Sequence, residues 1–238
     1  MVEVPSARLK ECSQAVSHLA RQSSWRDATA LLAELGPQRV SPDAAALNAG
    51  ISACARGHQW ESALDVVGEM RAAILTPDSF SYAAAVSACE KGQQWGKALH
   101  LLQEMCRRDL QPNVVAFGAA LSACEKGRRW EQALLLMKEM ARCELEPNVI
   151  TCSAAISACE KCQQWSLALN FLAQMQQADV APNVVSWSTT LTACARGEQW
   201  HHALHTFGGI HGQRLELNAV AYNSAINACE RGQAWELA

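Results

Sequence analysis

Apolar side chains recur along this chain at helical spacing, and they do so in pairs of short runs. In the segment Val114–Asn148 the first run sets Phe117, Leu121 and Cys124 at i, i+4 and i+7, the signature of one buried helical face. The second run sets Trp130, Ala133, Leu134, Met137 and Met140 on a face of its own. Gly127 stands between the runs, and Gly57, Gly92, Gly197 and Gly232 hold the same place elsewhere. A glycine there is expected to adopt the left-handed conformation that ends a helix. A proline closes each pair, at Pro42, Pro77, Pro112, Pro147 and Pro182. Proline cannot continue a helix, and it pushes the residue before it out of helical geometry. The pattern predicts a first helix that stops near the glycine and a second that starts around the tryptophan.

The pair is a repeating unit. Trp25, Trp60, Trp95, Trp130, Trp165, Trp200 and Trp235 are each 35 residues apart, and only Trp187 falls outside the series. A fixed period of this length marks a solenoid. The chain then divides into a leader, residues 1–8, and the units Leu9–Asp43, Ala44–Asp78, Ser79–Asn113, Val114–Asn148, Val149–Asn183 and Val184–Asn218. A partial unit, Ala219–Ala238, follows. Neither helix of a pair can bury its face alone, so stability must come from neighbouring units. Ala63, Ala98, Ala133, Ala168 and Ala203 are small enough to let paired helices approach closely, and the tryptophans are expected inside that packing. The first unit departs from the pattern, with Cys12 in place of an aromatic and Gln22 in place of glycine, and is expected to be degenerate or capping. The expected fold class is all-α, a solenoid of antiparallel helix pairs.

Composition narrows the function. No window resembles a run of about 20 apolar residues, so no membrane span is expected. The N-terminal MVEVPSARLKECSQ lacks an apolar signal core and is a poor transit peptide. Six of the eleven cysteines, Cys54, Cys89, Cys124, Cys159, Cys194 and Cys229, share one place in the repeat. Stacked helices lie about 8–10 Å apart, beyond the roughly 7 Å Cα limit of a disulfide, so these read as small buried hydrophobes in a reducing compartment. Cys159 and Cys162 form a C-x-x-C with no second pair, too little for a zinc site. His201, His202 and His205 lie together without an acidic third ligand and read as exposed polar residues. No metal, cofactor or catalytic constellation is expected, and the chain reads as no enzyme.

Charge distribution says more than net charge. The formal charge of -3 argues against bulk attraction to nucleic acid. Yet the second, fifth, ninth and thirteenth residues of a unit fall within about 80° of one another on the first helix, away from its buried face. The thirteenth is always basic: Arg21, Arg56, Lys91, Lys126, Lys161, Arg196 and Arg231. Stacked units would turn this into a ladder suited to a polyanion that advances about one nucleotide per unit. Cations also favour a helix C-terminus for its dipole, which is the alternative reading. Glu90, Glu125, Glu160 and Glu230 stand beside the cations and partly cancel their field.

A helix pair of the form VVxYNxxIxAcxKGxxWexALxLLxEMxxxxxxPN resembles the pentatricopeptide repeat. ALNAGISACARGHQWESALDVVGEM and AYNSAINACERGQAWELA carry recognisable forms of it, and the match spans nearly the whole chain. The related tetratricopeptide repeat has a period of about 34, which would slip the tryptophan register. The resemblance implies a right-handed superhelix that binds single-stranded RNA on its concave face, one base per repeat. In that family the fifth and last residues of a repeat read the base edge, the second packs on the base, and the basic thirteenth lies near phosphate. Carried over, the reading pairs are Ser13 with Asp43, Asn48 with Asp78, Ala83 with Asn113, Gly118 with Asn148, Ser153 with Asn183, and Ser188 with Asn218; Asn223 begins a seventh. The implied clamps are Ala45, Phe80, Val115, Ile150, Val185 and Val220. The implied RNA register is 5′-G-U-x-x-A-A-3′, unread at the two repeats where Ala83 and Gly118 lack a hydrogen-bonding group. Organellar RNA metabolism, in chloroplast or mitochondrion and with other RNA-processing proteins as partners, follows from the same resemblance. Two alternatives stand beside it: a protein-binding scaffold, and the RNA-binding part of a longer protein with a catalytic domain. The terminal Asp or Asn of all six complete units favours RNA, since a peptide groove has no evident need of it.

Overall fold

The computed structural model describes residues 14–20, 22, 24–35, 43–73, 75–212 and 218–233. Every regular element among them is a helix: α1 (14–20), α2 (Trp25–Leu35), α3 (Ala44–Arg56), α4 (Trp60–Ala72), α5 (Ser79–Lys91), α6 (Trp95–Arg107), α7 (Val114–Lys126), α8 (Trp130–Arg142), α9 (Val149–Lys161), α10 (Trp165–Gln177), α11 (Val184–Arg196), α12 (Trp200–Gly212) and α13 (Ala219–Arg231). Among the described residues no helix is long and apolar enough to cross a membrane.

Contacts divide the chain into two compact units, Met1–Ala123 and Cys124–Ala238, with the boundary inside α7. In the first, α3 packs on α4 and α5, and α4 lies against both α3 and α5. In the second, α9 packs on α10 and α11, α10 bridges α9 and α11, and α12 bridges α11 and α13. The second helices α4, α10 and α12 thus each cover their own first helix and the next one, which is how a repeat completes its neighbour's core.

The helices start where the sequence supplies caps. Asp43, Asp78, Asn113, Asn148, Asn183 and Asn218 each accept, through Oδ1, the backbone N–H of Ala46, Ser81, Ala116, Thr151, Ser186 and Ala221 at 2.8–2.9 Å. Such a cap contributes about 0.5–2 kcal/mol over alanine. Capping is by itself a reason for Asp or Asn at this place, so their recurrence does not separate an RNA-binding groove from a peptide-binding one.

The first helices do not end as expected. Gly57, Gly92, Gly197 and Gly232 have φ between -78° and -82°, within ordinary helical range. The left-handed residue is the next one, His58, Gln93, Glu198 and Gln233, with φ of 53–59°. The glycines answer a steric demand instead. A Cβ on Gly57, Gly92, Gly197 or Gly232 would lie 2.2–2.5 Å from Cδ1 of Trp25, Trp60, Trp165 or Trp200 respectively, each a ring of the preceding repeat. The tryptophans are accordingly half-buried rather than enclosed between paired helices, because one face of the indole is spent on the neighbouring repeat's helix end. Cys162 holds the glycine place in its repeat, where the backbone has φ -107° and Sγ meets the Arg128 carbonyl at 3.3 Å.

Phe117, Leu121 and Cys124 are fully buried, as their spacing predicts. On α8 the buried stripe is Ala133, Leu136 and Met140, while Leu134 and Met137 are half-exposed. The helix is rotated from the expected face, and it packs on α9 of the next repeat. Cys152 replaces the aromatic that other repeats carry at Tyr82, Phe117 and Trp187, and a cavity of about 330 Å³ opens beside it, lined by Met137, Phe171 and Met175.

The six recurrent cysteines are buried free thiols. Burial pushes Cys54, Cys89 and Cys194 up to about 11, and Cys124 and Cys159 up to about 12. These five are protonated at neutral pH and inert, since the thiolate is the nucleophile. In a timed alkylation followed by mass spectrometry, the half-buried Cys106, Cys143 and Cys162 are expected to react first. The recurrent six should stay unmodified until denaturant is added; equal rates would contradict this burial.

Candidate functional site

The second residue of each first helix projects outward. Phe80, Val115, Ile150, Val185 and Val220 are 54–68% exposed, and Ala45 is exposed at the same place. An isolated exposed valine is ordinary. Within each compact unit, apolar side chains at this one helical position of successive repeats make a surface that gains by being covered.

Beside this row lie the reading pairs. Asn48 of α3 and Asp78, the cap of α5, meet through Ser81. The Ser81 hydroxyl lies 2.5 Å from Asn48 Oδ1 and 2.8 Å from Asp78 Oδ1. Burial pushes the Asp78 carboxyl up, but hydrogen bonds from Ser81, the Phe80 backbone and Asn48 outweigh it and hold the group below its ordinary value. It is an acceptor at neutral pH. Ser153 and Asn183 meet in the same way through Ser186, at 2.8 and 2.9 Å. Ser188 is different. It is buried, and its hydroxyl donates to the Val184 carbonyl at 2.6 Å; Ala221 stands where a bridging hydroxyl would be. Ala83 and Gly118 are buried in the helix surface, Asn113 is half-buried, and Asn148 and Asn218 are exposed. Asn223 is also exposed, and Ser13 lies outside the described residues. The bridging hydroxyls Ser81 and Ser186 were not anticipated. The signal for them is an Asp or Asn cap followed three residues on by Ser or Thr, a capping-box spacing.

The cations fall into two sets. Lys161 pairs with Glu125 at 2.8 Å, and Arg196 pairs with Glu160, in each case the twelfth residue of the preceding repeat. Arg56 and Arg231 instead rest on their own helices, at the Ser52 carbonyl and Asn227 Oδ1. Lys91 has no ion pair among the described residues. Lys126 is exposed, and Arg21 lies outside the described residues. Glu125 and Glu160 therefore act across repeats, not on the cation beside them in sequence.

The exposed His201 ring stacks on Trp200, and His202 stacks on Trp165. Among the described residues no group of three metal-ligating side chains converges.

With period, caps and faces in place, family models match three stretches: the PPR repeat at 48–73 and 80–110, the pentatricopeptide repeat domain at 100–162, and the PPR repeat family at 147–196. The chain belongs to the pentatricopeptide repeat family. The pentatricopeptide protein PPR10 from maize superposes with a TM-score of 0.77 at 24% identity, covering 98% of this chain and 34% of its own. PPR10 in complex with an 18-nt psaJ RNA element gives 0.76 at 24%, covering 97% and 34%. The PPR domain of Arabidopsis thaliana protein-only RNase P 1, in complex with tRNA, gives 0.66 at 13%, covering 79% and 95%. The chain thus spans about a third of the length of PPR10. No curated protein sequence matches it significantly. These likenesses show the pentatricopeptide solenoid fold.

Proposed function

We propose that this chain binds single-stranded RNA along its first helices, one nucleotide per repeat, in organellar RNA metabolism and without catalysis of its own. The observation that carries the reading is the exposed apolar row at Phe80, Val115, Ile150, Val185 and Val220, set beside cap residues that each keep one polar atom in reserve. Every base has an apolar face to pack on such a side chain. Two of the similar structures hold RNA, a ligand of this chemistry.

Capping itself makes the reader. Oδ1 of each terminal residue is fixed by the helix, which locks the rotamer and leaves Asp an acceptor and Asn an Nδ2 donor. Acceptors suit the imino N–H of U and G; donors suit the ring nitrogen of A and C. Asn48 Nδ2 carries two N–H groups, so beside its bond to Asp78 one remains for a uracil carbonyl, and the pair favours U. Ser153 with Asn183 favours A. At the next repeat Asn218 reads alone, because Ser188 gives its proton to Val184.

Two substitutions separate cap from reader. Asp78→Asn keeps the cap, so stability changes by less than about 0.5 kcal/mol. It turns acceptor into donor, so the motif selected from a random RNA pool changes from U towards A or C at one position, by about 1–3 kcal/mol. Asp78→Ala loses both cap and preference. Asn48→Ser with Asp78 kept moves the same position from U towards G. A selected motif unchanged by Asp78→Asn refutes the reader assignment, and no gel shift of single-stranded RNA at low salt refutes RNA binding itself.

A further inference from the structure

The cation ladder is not uniform, and the twelfth residue of the preceding repeat decides its state. Glu125 and Glu160 precede the repeats of Lys161 and Arg196, and those cations are ion-paired. Ala20, Ala55 and Ala195 precede the repeats of Arg56, Lys91 and Arg231, which have no carboxylate partner among the described residues. The pairing carboxylates are held in place: the Glu160 side chain is 11% exposed and that of Glu125 25%, against 54% for Arg196 and 35% for Lys161.

We propose that Glu125 and Glu160 suppress the sequence-independent part of RNA affinity by occupying the cations that would otherwise hold phosphate. This rests on the RNA reading above. A cation that neutralises a phosphate releases a condensed counterion, and that release drives affinity. Moving Lys161 from Glu125 to a phosphate would leave a half-buried carboxylate unpaired beside the RNA backbone, so the cation stays with Glu125 and releases no counterion. Lys161 and Arg196 therefore add little to affinity, whereas Arg56, Lys91 and Arg231 contribute in full. The freed or occupied charge does not sense base identity, so it sets the level of binding for all sequences alike.

The double variant Glu125→Gln/Glu160→Gln tests this by fluorescence anisotropy with oligo(U) and oligo(A) RNA of equal length across a salt series. Two cations become available, so both oligomers should bind roughly ten- to thirty-fold tighter near 0.1 M salt, with the log–log salt slope steeper by about 1.4. The converse variant Ala195→Glu, at a place where Glu160 shows that glutamate fits, gives Arg231 a partner. It should weaken binding of both oligomers and flatten the slope by about 0.7. Unchanged or weaker binding by the double variant, a change confined to one oligomer, or no weakening by Ala195→Glu each overturns the proposal. Wild-type protein that binds neither oligomer brings down the RNA reading along with it; wild-type binding that the variants leave alone brings down this proposal only.

Discussion

Taken from about pH 8 to about pH 11, the chain is expected to unfold, and the second unit before the first. Its buried thiols hold their protons up to about 11 or 12, whereas the same groups in the unfolded chain release them near 9.0. Above that lower value the unfolded state binds fewer protons than the folded one, so stability falls as pH rises; below about pH 8 both states are protonated and the effect vanishes. At pH 10 each such thiol costs on the order of 1 kcal/mol. Two or three of them in one unit remove a sizeable part of the stability of a typical domain. Cys54 and Cys89 belong to the first unit; Cys124, Cys159 and Cys194 belong to the second, where burial raises Cys152 as well. Tyr82, raised chiefly by its own burial, acts in the same direction in the first unit. Circular dichroism against pH, with hydrogen exchange to resolve the two units, checks the midpoint and the order. Replacing Cys124, Cys159 and Cys194 by alanine should move the midpoint of the second unit upward. A midpoint that does not move would show that something other than the thiols governs alkaline unfolding.

Gly92→Ala is expected to destabilise the first unit by about 1–3 kcal/mol, although its backbone conformation suits alanine. With φ -78° the substitution should by itself gain about 0.4–1 kcal/mol from a less flexible unfolded chain. The added Cβ, however, would sit 2.2 Å from Cδ1 of Trp60, so the ring or the helix end must move. Sterics outweigh entropy, and the sign reverses. Gly68 provides the contrast: a Cβ there meets nothing within 4 Å, so Gly68→Ala in the middle of α4 should stabilise by roughly 0.5–1 kcal/mol. In a Trp60→Leu background the Gly92→Ala penalty should shrink towards zero, a coupling that denaturant melts of the four proteins would measure. A penalty that survives loss of the indole would mean that the glycine is required for backbone reasons after all.

Much of this architecture was legible in the sequence, because it depends on local spacing. The 35-residue tryptophan period, the proline after each second helix and the i, i+4, i+7 face of Phe117, Leu121 and Cys124 locate the helices and their buried sides. The exposed position of Phe80, Val115, Ile150, Val185 and Val220 follows from helix geometry alone, since it lies opposite that buried face. The cap role of Asp and Asn was equally readable but was overshadowed by their proposed role as readers. Their place just before each apolar run is an N-cap signal in its own right.

What the tertiary structure decided are contacts between residues some 32 to 36 apart, where no local rule applies. A period says that equivalent residues recur, but it does not say which residue of one repeat meets which of the next. That offset is set by how second helices wedge between first helices, and it places Trp60 on Gly92, Ser81 on Asn48 and Lys161 on Glu125. The sequence by itself determined the repeated unit and the face that it leaves open. Only the stacking of units determined why a glycine is required at the helix end, which readers are braced, and which cations are already taken.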